Sequence, residues 1–462
     1  MSYLANLKTE ANYTHTLNGA KTHSSTGDAR LDFFAVAGGM GERKLFRTLL
    51  SHVARTWPES ARKNVAYIAE FSRWDDLMCL LGTPAQREAV QTIRIQLAED
   101  EAALKRREAG DEDAHISLLA KWLPSDNTSS PRTRKTAEHL IKALDMERKD
   151  YRRLVTALRA RIGLTERQLT TKQPEKVNYE AVPAQAMLKY RSAFERNDGK
   201  RYGDYLKAVC KGKKRIHTET LFPYEVLRPF FDGGYWGSGD AKGADALEAL
   251  WDCLPGAIGN VNAISVVDVS GSMYCSNGPL MPALISQAMG LYCAERCEGV
   301  FHNHMITFES TPHLVKIHGA TLRDKLKYIG SLPWGWSTNL EAVFDLILRT
   351  AVNSGARQEE MPQVLYIFSD MEFNCAVCDA DKTVYENARE RFEAAGYQMP
   401  AVVFHNVNSW QTQTPVTAHT RGTALTSGAS THALGHKFDG NITPMDHMLR
   451  VLNAERYAMI HA

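Results

Sequence analysis

The chain has 462 residues, more than a single hydrophobic core usually serves, so two or three domains are expected. A hydrophobic content of 44% excludes a disordered protein, and the sequence holds no run of about eighteen apolar residues that would cross a membrane as a helix. The net charge of +2 hides an asymmetry: residues 255–462 carry a net −5, whereas residues 1–254 carry a net +7. A basic half suits a polyanion such as nucleic acid, although an excess of this size also fits an ordinary solvated surface.

The opening segment, Met1–Lys8, lacks the apolar core of a secretory signal, and the eight cysteines are scattered. Both features point to a protein of a reducing, cytoplasmic compartment with free thiols. Cys375 and Cys378 form a lone CxxC with no second pair at zinc-binding spacing, and Cys293 and Cys297 share one face of an expected helix. Thiols, not zinc ligands, are expected at all four positions.

In chain order, residues 1–27 are polar and read as an arm without a core of its own. Residues 28–232 show helical apolar spacing almost throughout, as in Lys44–Val53, Val65–Ala69 and Trp74–Leu81. Thr83-Pro84 opens a long helix whose highly charged stretch, Ala98–Glu108, reads as a solvated face. Further helices are expected at Arg132–Leu144, Asp150–Ala160, Leu164–Thr170, Ala184–Asn197 and Gly199–Lys211. This succession predicts an all-α helical-repeat domain, a HEAT-like solenoid or ring, although no repeat period is regular. The glycine-rich break Gly233–Asp240 and a short helix, Ala244–Trp251, make a linker over 233–261.

Residues 262–462 alternate between strand and helix. Strands are expected at Ala263–Val267, Gly299–Phe308, Val364–Phe368 and Ala401–Phe404. Helices are expected at Met281–Arg296, Leu322–Ile329, Leu340–Val352, Thr383–Ala395 and Met445–Asn453. The whole is therefore read as α + α/β: a helical domain, then a Rossmann-like α/β domain with a mainly parallel sheet. Such sheets bind ligands at the carboxyl ends of their strands.

Three loops fall at those ends: Asp268-Val269-Ser270-Gly271-Ser272, Ser337-Thr338-Asn339 and Ser369-Asp370. Their order resembles the DxSxS…T…D signature of von Willebrand factor A domains, over residues 262–462. The resemblance implies a metal-ion-dependent adhesion site with Asp268, Ser270, Ser272, Thr338 and Asp370 around Mg²⁺ or another divalent cation such as Mn²⁺ or Ca²⁺. Hydroxyl and carboxylate oxygens suit such hard ions. It also implies an open position that takes an acidic group from a protein partner. Trp336-Ser337 departs from the small glycines that many relatives place before the threonine, so Trp334 and Trp336 are expected to shape access or to pack on the sheet edge. His405-Asn406-Val407-Asn408 follows a strand and is expected at the same edge.

No catalytic center is legible, and no GxxxxGK[ST] loop occurs, so the protein is read as a non-enzyme. A metal-assisted hydrolase is the least favoured reading. His302 and His304 share a strand face and are expected to be satisfied polar residues.

A helical half before such a domain is similar to the TROVE architecture of the Ro autoantigen family, and closer still to its relatives of unknown function. The stretches that carry this are Ser117–Pro124, Tyr179–Ala184 and Leu221–Val226, the last with Tyr224 where the family usually has histidine. The resemblance implies a ribonucleoprotein component that binds structured or single-stranded-ended RNA. Candidate contacts are the run Lys207, Lys211, Lys213, Lys214, Arg215 and His217, and the helix start Arg132, Arg134 and Lys135. Arg148, Lys149, Arg152, Arg153, Arg159 and Arg161 recur at helical spacing. Such side chains neutralise phosphates with little regard to sequence. The alternative is a metal-dependent protein–protein scaffold without RNA.

Overall fold

The computed structural model describes residues 13–15, 21–23, 43–111, 113–231, 241–256, 258, 261–275, 281–335, 337–373, 383–408, 415–416, 420–429, 431, 434, 453 and 455–461. They form two compact units.

The first unit is helical: α1 (Arg43–Thr56), α2 (Pro58–Asn64), α3 (Ile68–Phe71), α4 (Gln86–Glu108), α5 (Leu119–Trp122), α6 (Pro131–Leu144), α7 (Arg148–Arg161) and α8 (Thr165–Thr170). Their apolar faces share one core that includes Phe46, Leu77, Ile93, Leu140 and Leu158. The caps follow the sequence. Ser130 Oγ accepts the Thr133 N–H (3.3 Å), Pro131 occupies the first turn of α6, and Asp145 ends that helix in the left-handed region. Two expectations shift. Pro84 lies in the turn before α4, not inside it, and Trp74–Leu80 is a 3₁₀ helix. Its fully buried Asp76 accepts Arg47 Nε (2.5 Å) and the Arg73 N–H (3.3 Å), which holds the entry to that short helix. The helices vary from 4 to 23 residues, so regular helix pairs are not evident in this unit.

The described residues 453–461 also belong to this unit, contrary to the expectation of one domain over 262–462. Ile460 is buried in the helical core, and Tyr457 packs on Phe71 with ring centroids 5.5 Å apart. Buried Asn64 clasps the backbone of His461, donating to its carbonyl (2.5 Å) and accepting its N–H (2.9 Å). The helix expected at Met445–Asn453 lies, but for Asn453, outside the described residues.

The second unit holds a short antiparallel ribbon, β1 (Tyr13–His15) with β2 (Lys21–His23), then helices α9 (Ala184–Cys210), α10 (Pro223–Leu227) and α11 (Ala244–Asp252), and a six-stranded sheet. The division therefore falls after Val177, not at the glycine-rich break near residue 232, most of which lies outside the described residues. Packing explains the shift: α10 covers a helix of the sheet layer, and α11 lies against α9. The two helices expected over 184–211 are both present within α9, separated at Asp198, whose backbone is non-helical (φ −151°, ψ 39°). The Asp198 carboxylate accepts Tyr179 Oη (2.8 Å) and Arg201 Nε (2.7 Å).

The sheet comprises β3 (Ala263–Asp268), β4 (His304–Phe308), β5 (Leu314–Lys316), β6 (Val364–Ser369), β7 (Ala401–Asn406) and β8 (Thr423–Ser427), in the order β5-β4-β3-β6-β7-β8. Only β5 is antiparallel to its neighbour. Helices α12 (Pro282–Arg296), α13 (Leu322–Gly330), α14 (Leu340–Ser354) and α15 (Val384–Ala394) complete it. One face buries Ile264, Val266, Leu365, Ile367 and Val402 against Val343, Phe344 and Phe392 of α14 and α15. On the other face α12 is buried along almost its whole length, which requires a second layer outside it; α10 supplies part of that layer. Gly290 makes this approach feasible, because a Cβ there would stand 2.2 Å from Val267 Cγ2. Strand β4 is shorter than expected, since Gly299 (φ 84°) and Asn303 (φ 60°) turn the chain before it. The sequence reading missed β5 and β8, which are short, half-exposed edge strands.

Candidate metal centre

The strand order reverses between β3 and β6, the switch point beyond whose carboxyl strand ends such sheets bind ligands. Asp268 ends β3 and Asp370 follows β6. Both are buried, as are Ser270 and Thr338, while Ser272 is half-buried.

Each strand end closes on a turn in which a side chain accepts the N–H two residues on. Asp268 Oδ1 accepts Ser270 N–H (2.8 Å), Asp370 Oδ1 accepts Glu372 N–H (3.1 Å), and Asn406 Oδ1 accepts Asn408 N–H (2.9 Å). The hydroxyls join the carboxylates into one cluster. The Ser270 and Ser272 Oγ atoms lie 3.3 Å apart, and these hydroxyls favour the ionised forms of Asp268 and Asp370 respectively. Thr338 Oγ1 donates its proton to the Glu372 carbonyl (2.6 Å). The structure thus gathers the oxygens of all three predicted loops at one sheet edge.

Electrostatically the cluster is unbalanced. Among the described residues, Asp268 and Asp370 take part in no ion pair with a basic side chain. Burial pushes the Asp268 carboxyl up to about 7, against hydrogen bonds from Ser369 and Ser270, and the neighbouring Asp370 charge adds to the rise. Burial also raises Asp370. Two desolvated carboxylates beside three neutral hydroxyls form a hard-oxygen donor set that a small divalent cation fits. No group of three or more His, Cys, Asp or Glu side chains is arranged for a metal among the described residues.

Several residues that frame this cluster carried no signal of their own. Ser286, the one serine of the apolar helix α12, accepts the Asp268 N–H (3.1 Å) and donates to the Phe368 carbonyl (2.8 Å), tying the ends of β3 and β6 together. Ser369 donates to Asp268 Oδ2 (2.5 Å). Asn408 is buried and donates to the Cys275 carbonyl (3.4 Å), which holds the first loop. The second loop rests on the end of β4: a Cβ on Gly335 would meet Glu309 Cβ at 2.8 Å, and Ser310 and Ser337 share a 2.5 Å hydrogen bond.

Other sequence candidates fall elsewhere. Trp334 is half-buried and its Nε1 donates to the Ile329 carbonyl (2.8 Å), which anchors the loop to α13; Trp336 lies outside the described residues. His405 does not line the surface as expected. It is fully buried between Thr426 Oγ1 and the Gly428 carbonyl, each 2.8 Å away, and burial lowers it to about 4, so it is a neutral strut between β7 and β8. His302 and His304 sit near the opposite end of β4 and bind the carbonyls of Cys297 (3.0 Å) and His302 (2.9 Å). Cys293 and Cys297 are buried free thiols, and the Cys375–Cys378 pair lies outside the described residues.

The basic candidates divide between the two units. Arg132, Arg134 and Lys135 are exposed on α6 of the first unit. In the second unit Lys207, Lys211 and Lys213 are exposed and form no ion pair among the described residues. Lys214 pairs with Glu180 (2.9 Å), and Arg215 and His217 both reach Glu219 (2.5 and 3.4 Å). The α7 row is largely structural: Arg152 grips Asp126 (2.7 Å), Arg159 donates to the carbonyls of Ala120 and Leu123 (2.7 Å each), and Arg148 and Arg153 pair with Glu138 and Asp150. No helix among the described residues is long and apolar enough to cross a membrane.

Comparison with known proteins returns families described only as domains of unknown function. Residues 262–448 match Domain of unknown function (DUF7788), and residues 127–246 match Domain of unknown function (DUF2828). The chain is 26% identical over 512 residues to Uncharacterized protein L728 of Acanthamoeba polyphaga mimivirus, covering 96% of this chain and 87% of that protein. Among solved structures, that of the Deinococcus radiodurans RO (RSR) protein aligns with a TM-score of 0.47 at 16% identity, covering 93% of this chain and 97% of the other.

Proposed function

We propose that this chain is a non-catalytic binding protein whose α/β unit, of von Willebrand factor A type, holds a divalent cation among Asp268, Ser270, Ser272, Thr338 and Asp370. The observation that carries this reading is the pair of buried carboxylates with no cationic partner among the described residues, beside hydroxyl oxygens at the switch point of the sheet. A bound Mg²⁺, Mn²⁺ or Ca²⁺ supplies the missing positive charge and an electrophilic position for one more oxygen. Only two protein carboxylates offset the ion, so the site suits an acidic group offered by a protein partner. Excess Mg²⁺, at about 100 times its Kd, is expected to stabilise the protein by about 2.7 kcal/mol relative to EDTA. Thermal unfolding should show that shift in the native chain and none in Asp268→Ala. An equal Mg²⁺ shift in the variant contradicts the assignment.

RNA is the second ligand of this proposal, on the exposed face that carries Lys207, Lys211 and Lys213. Their lack of acidic partners among the described residues favours phosphate contact over a self-neutralised surface. The Ro-like order of helical and α/β parts fits a ribonucleoprotein component. Replacing these three lysines by alanine is expected to reduce the slope of log K against log salt for single-stranded RNA by about 2. Electrophoretic or fluorescence titrations at several salt concentrations measure that slope. An unchanged slope, or no RNA binding at low salt, leaves a metal-dependent protein scaffold.

A further inference from the structure

We propose that Ser369, which is not among the candidate metal ligands, positions Asp268 and thereby sets the affinity of the site for its cation. The inference rests on the metal-site reading above and adds a residue that acts on the site through another. Ser369 is the last residue of β6 and is fully buried. Its single hydroxyl proton goes to Asp268 Oδ2 at 2.5 Å. Its oxygen accepts the Met371 N–H at 3.1 Å. That N–H is fixed by an uncommon backbone: Met371 has φ 69°, a left-handed conformation rarely adopted by a side chain of this size, and the residue is buried. The turn after β6 is therefore held so that one N–H orients the Ser369 hydroxyl, and the hydroxyl orients the carboxylate.

Asp268 is gripped at both oxygens, each from a different strand end. Ser270 N–H binds Oδ1 at 2.8 Å from its own loop, and Ser369 binds Oδ2 from β6. Rotation of the carboxylate breaks one of the two bonds. Both donors also favour the ionised form, the form a cation needs. Ser286 provides a contrast, because it bonds to the Asp268 N–H and the Phe368 carbonyl and so braces the same strand ends through backbone groups.

The test is calorimetric titration of Mn²⁺ into the full chain at constant pH, with unfolding temperature in EDTA measured alongside. Ser369→Ala is expected to weaken binding by about 10–100-fold, as loss of an outer hydrogen-bond partner does at other metal sites, while Ser369→Thr, which keeps the hydroxyl, stays within about threefold of the native chain. Ser286→Ala is expected to lower the unfolding temperature more than it changes affinity. If Ser369→Ala does not fold, Ser369→Cys, near-isosteric with a weaker donor, is expected to bind less tightly than the native chain. Native affinity in Ser369→Ala or Ser369→Cys overturns the proposal, and so does a Ser369→Thr variant as weak as Ser369→Ala. Asp268→Ala separates the two levels. If it abolishes binding while Ser369→Ala does not weaken it, the site stands and the role of Ser369 falls. If Asp268→Ala binds Mn²⁺ normally, the site assignment itself falls.

Discussion

In EDTA the protein is expected to lose stability as pH rises from about 4 to about 7, by an amount on the order of 4 kcal/mol at most. The cause is Asp268, whose carboxyl burial pushes up to about 7 in the folded chain, while the unfolded chain releases that proton near the ordinary carboxylate value. Between these two values the folded state holds more protons than the unfolded state. Its stability is therefore full below the unfolded pKa and declines until pH passes the folded one. Asp370 shifts in the same direction, so it adds to the slope. Saturating Mg²⁺ should flatten the profile, because the ion favours both ionised carboxylates. Asp268→Asn should remove most of the slope in EDTA. Denaturant unfolding at a series of pH values measures this. A native profile that rises from pH 4 to 7 in EDTA, or an Asn variant with the native slope, contradicts the electrostatic account of the cluster.

The second large effect is expected at Gly290. An added methyl group would stand 2.2 Å from Val267 Cγ2, far inside van der Waals contact, with Val267 fully buried on β3. A helical glycine replaced by alanine ordinarily gains about 1 kcal/mol of propensity. Here overpacking wins, and Gly290→Ala is expected to destabilise by about 3 kcal/mol. Retreat of α12 would also carry Ser286 away from the Asp268 N–H, so the strand ends should lose stability more than the site loses metal affinity. Shortening the opposing side chain tests the cause: Val267→Ala combined with Gly290→Ala should cost less than the sum of the single changes. Simple additivity in urea unfolding would show that the steric conflict is not the source of the loss.

The sequence disclosed most where local chemistry and tertiary role coincide. The apolar, β-branched run Ala263–Val267 is a fully buried central strand, as its composition dictates. The alternation that follows builds the sheet, and the polar loops after β3 and β6 meet because the strand order reverses there. Less was legible where a residue's role depends on distant partners. Ser286 and Ser369 are single hydroxyls in apolar surroundings, and only the packing of α12 on the strand ends and the pairing of β3 with β6 give them work. His405 looked like a surface residue because it follows an apolar strand, yet β8, a short edge strand with weak patterning, covers it. The division between units was misplaced for a similar reason. A glycine-rich segment is a strong local signal, but α9, α10 and α11 pack with the sheet layer, and no local pattern announces that. The arginines of α7 show the same limit from the charged side: their spacing suggested an exposed basic row, whereas Arg152 and Arg159 are engaged by Asp126 and by loop carbonyls.

The most direct test of the central claim is the stoichiometry of divalent-ion binding, measured by equilibrium dialysis of Mn²⁺ against the EDTA-stripped full chain. One ion per native chain, and none in the double variant Asp268→Ala/Asp370→Ala that remains folded, is the predicted result. Binding of one ion by the folded double variant would contradict it.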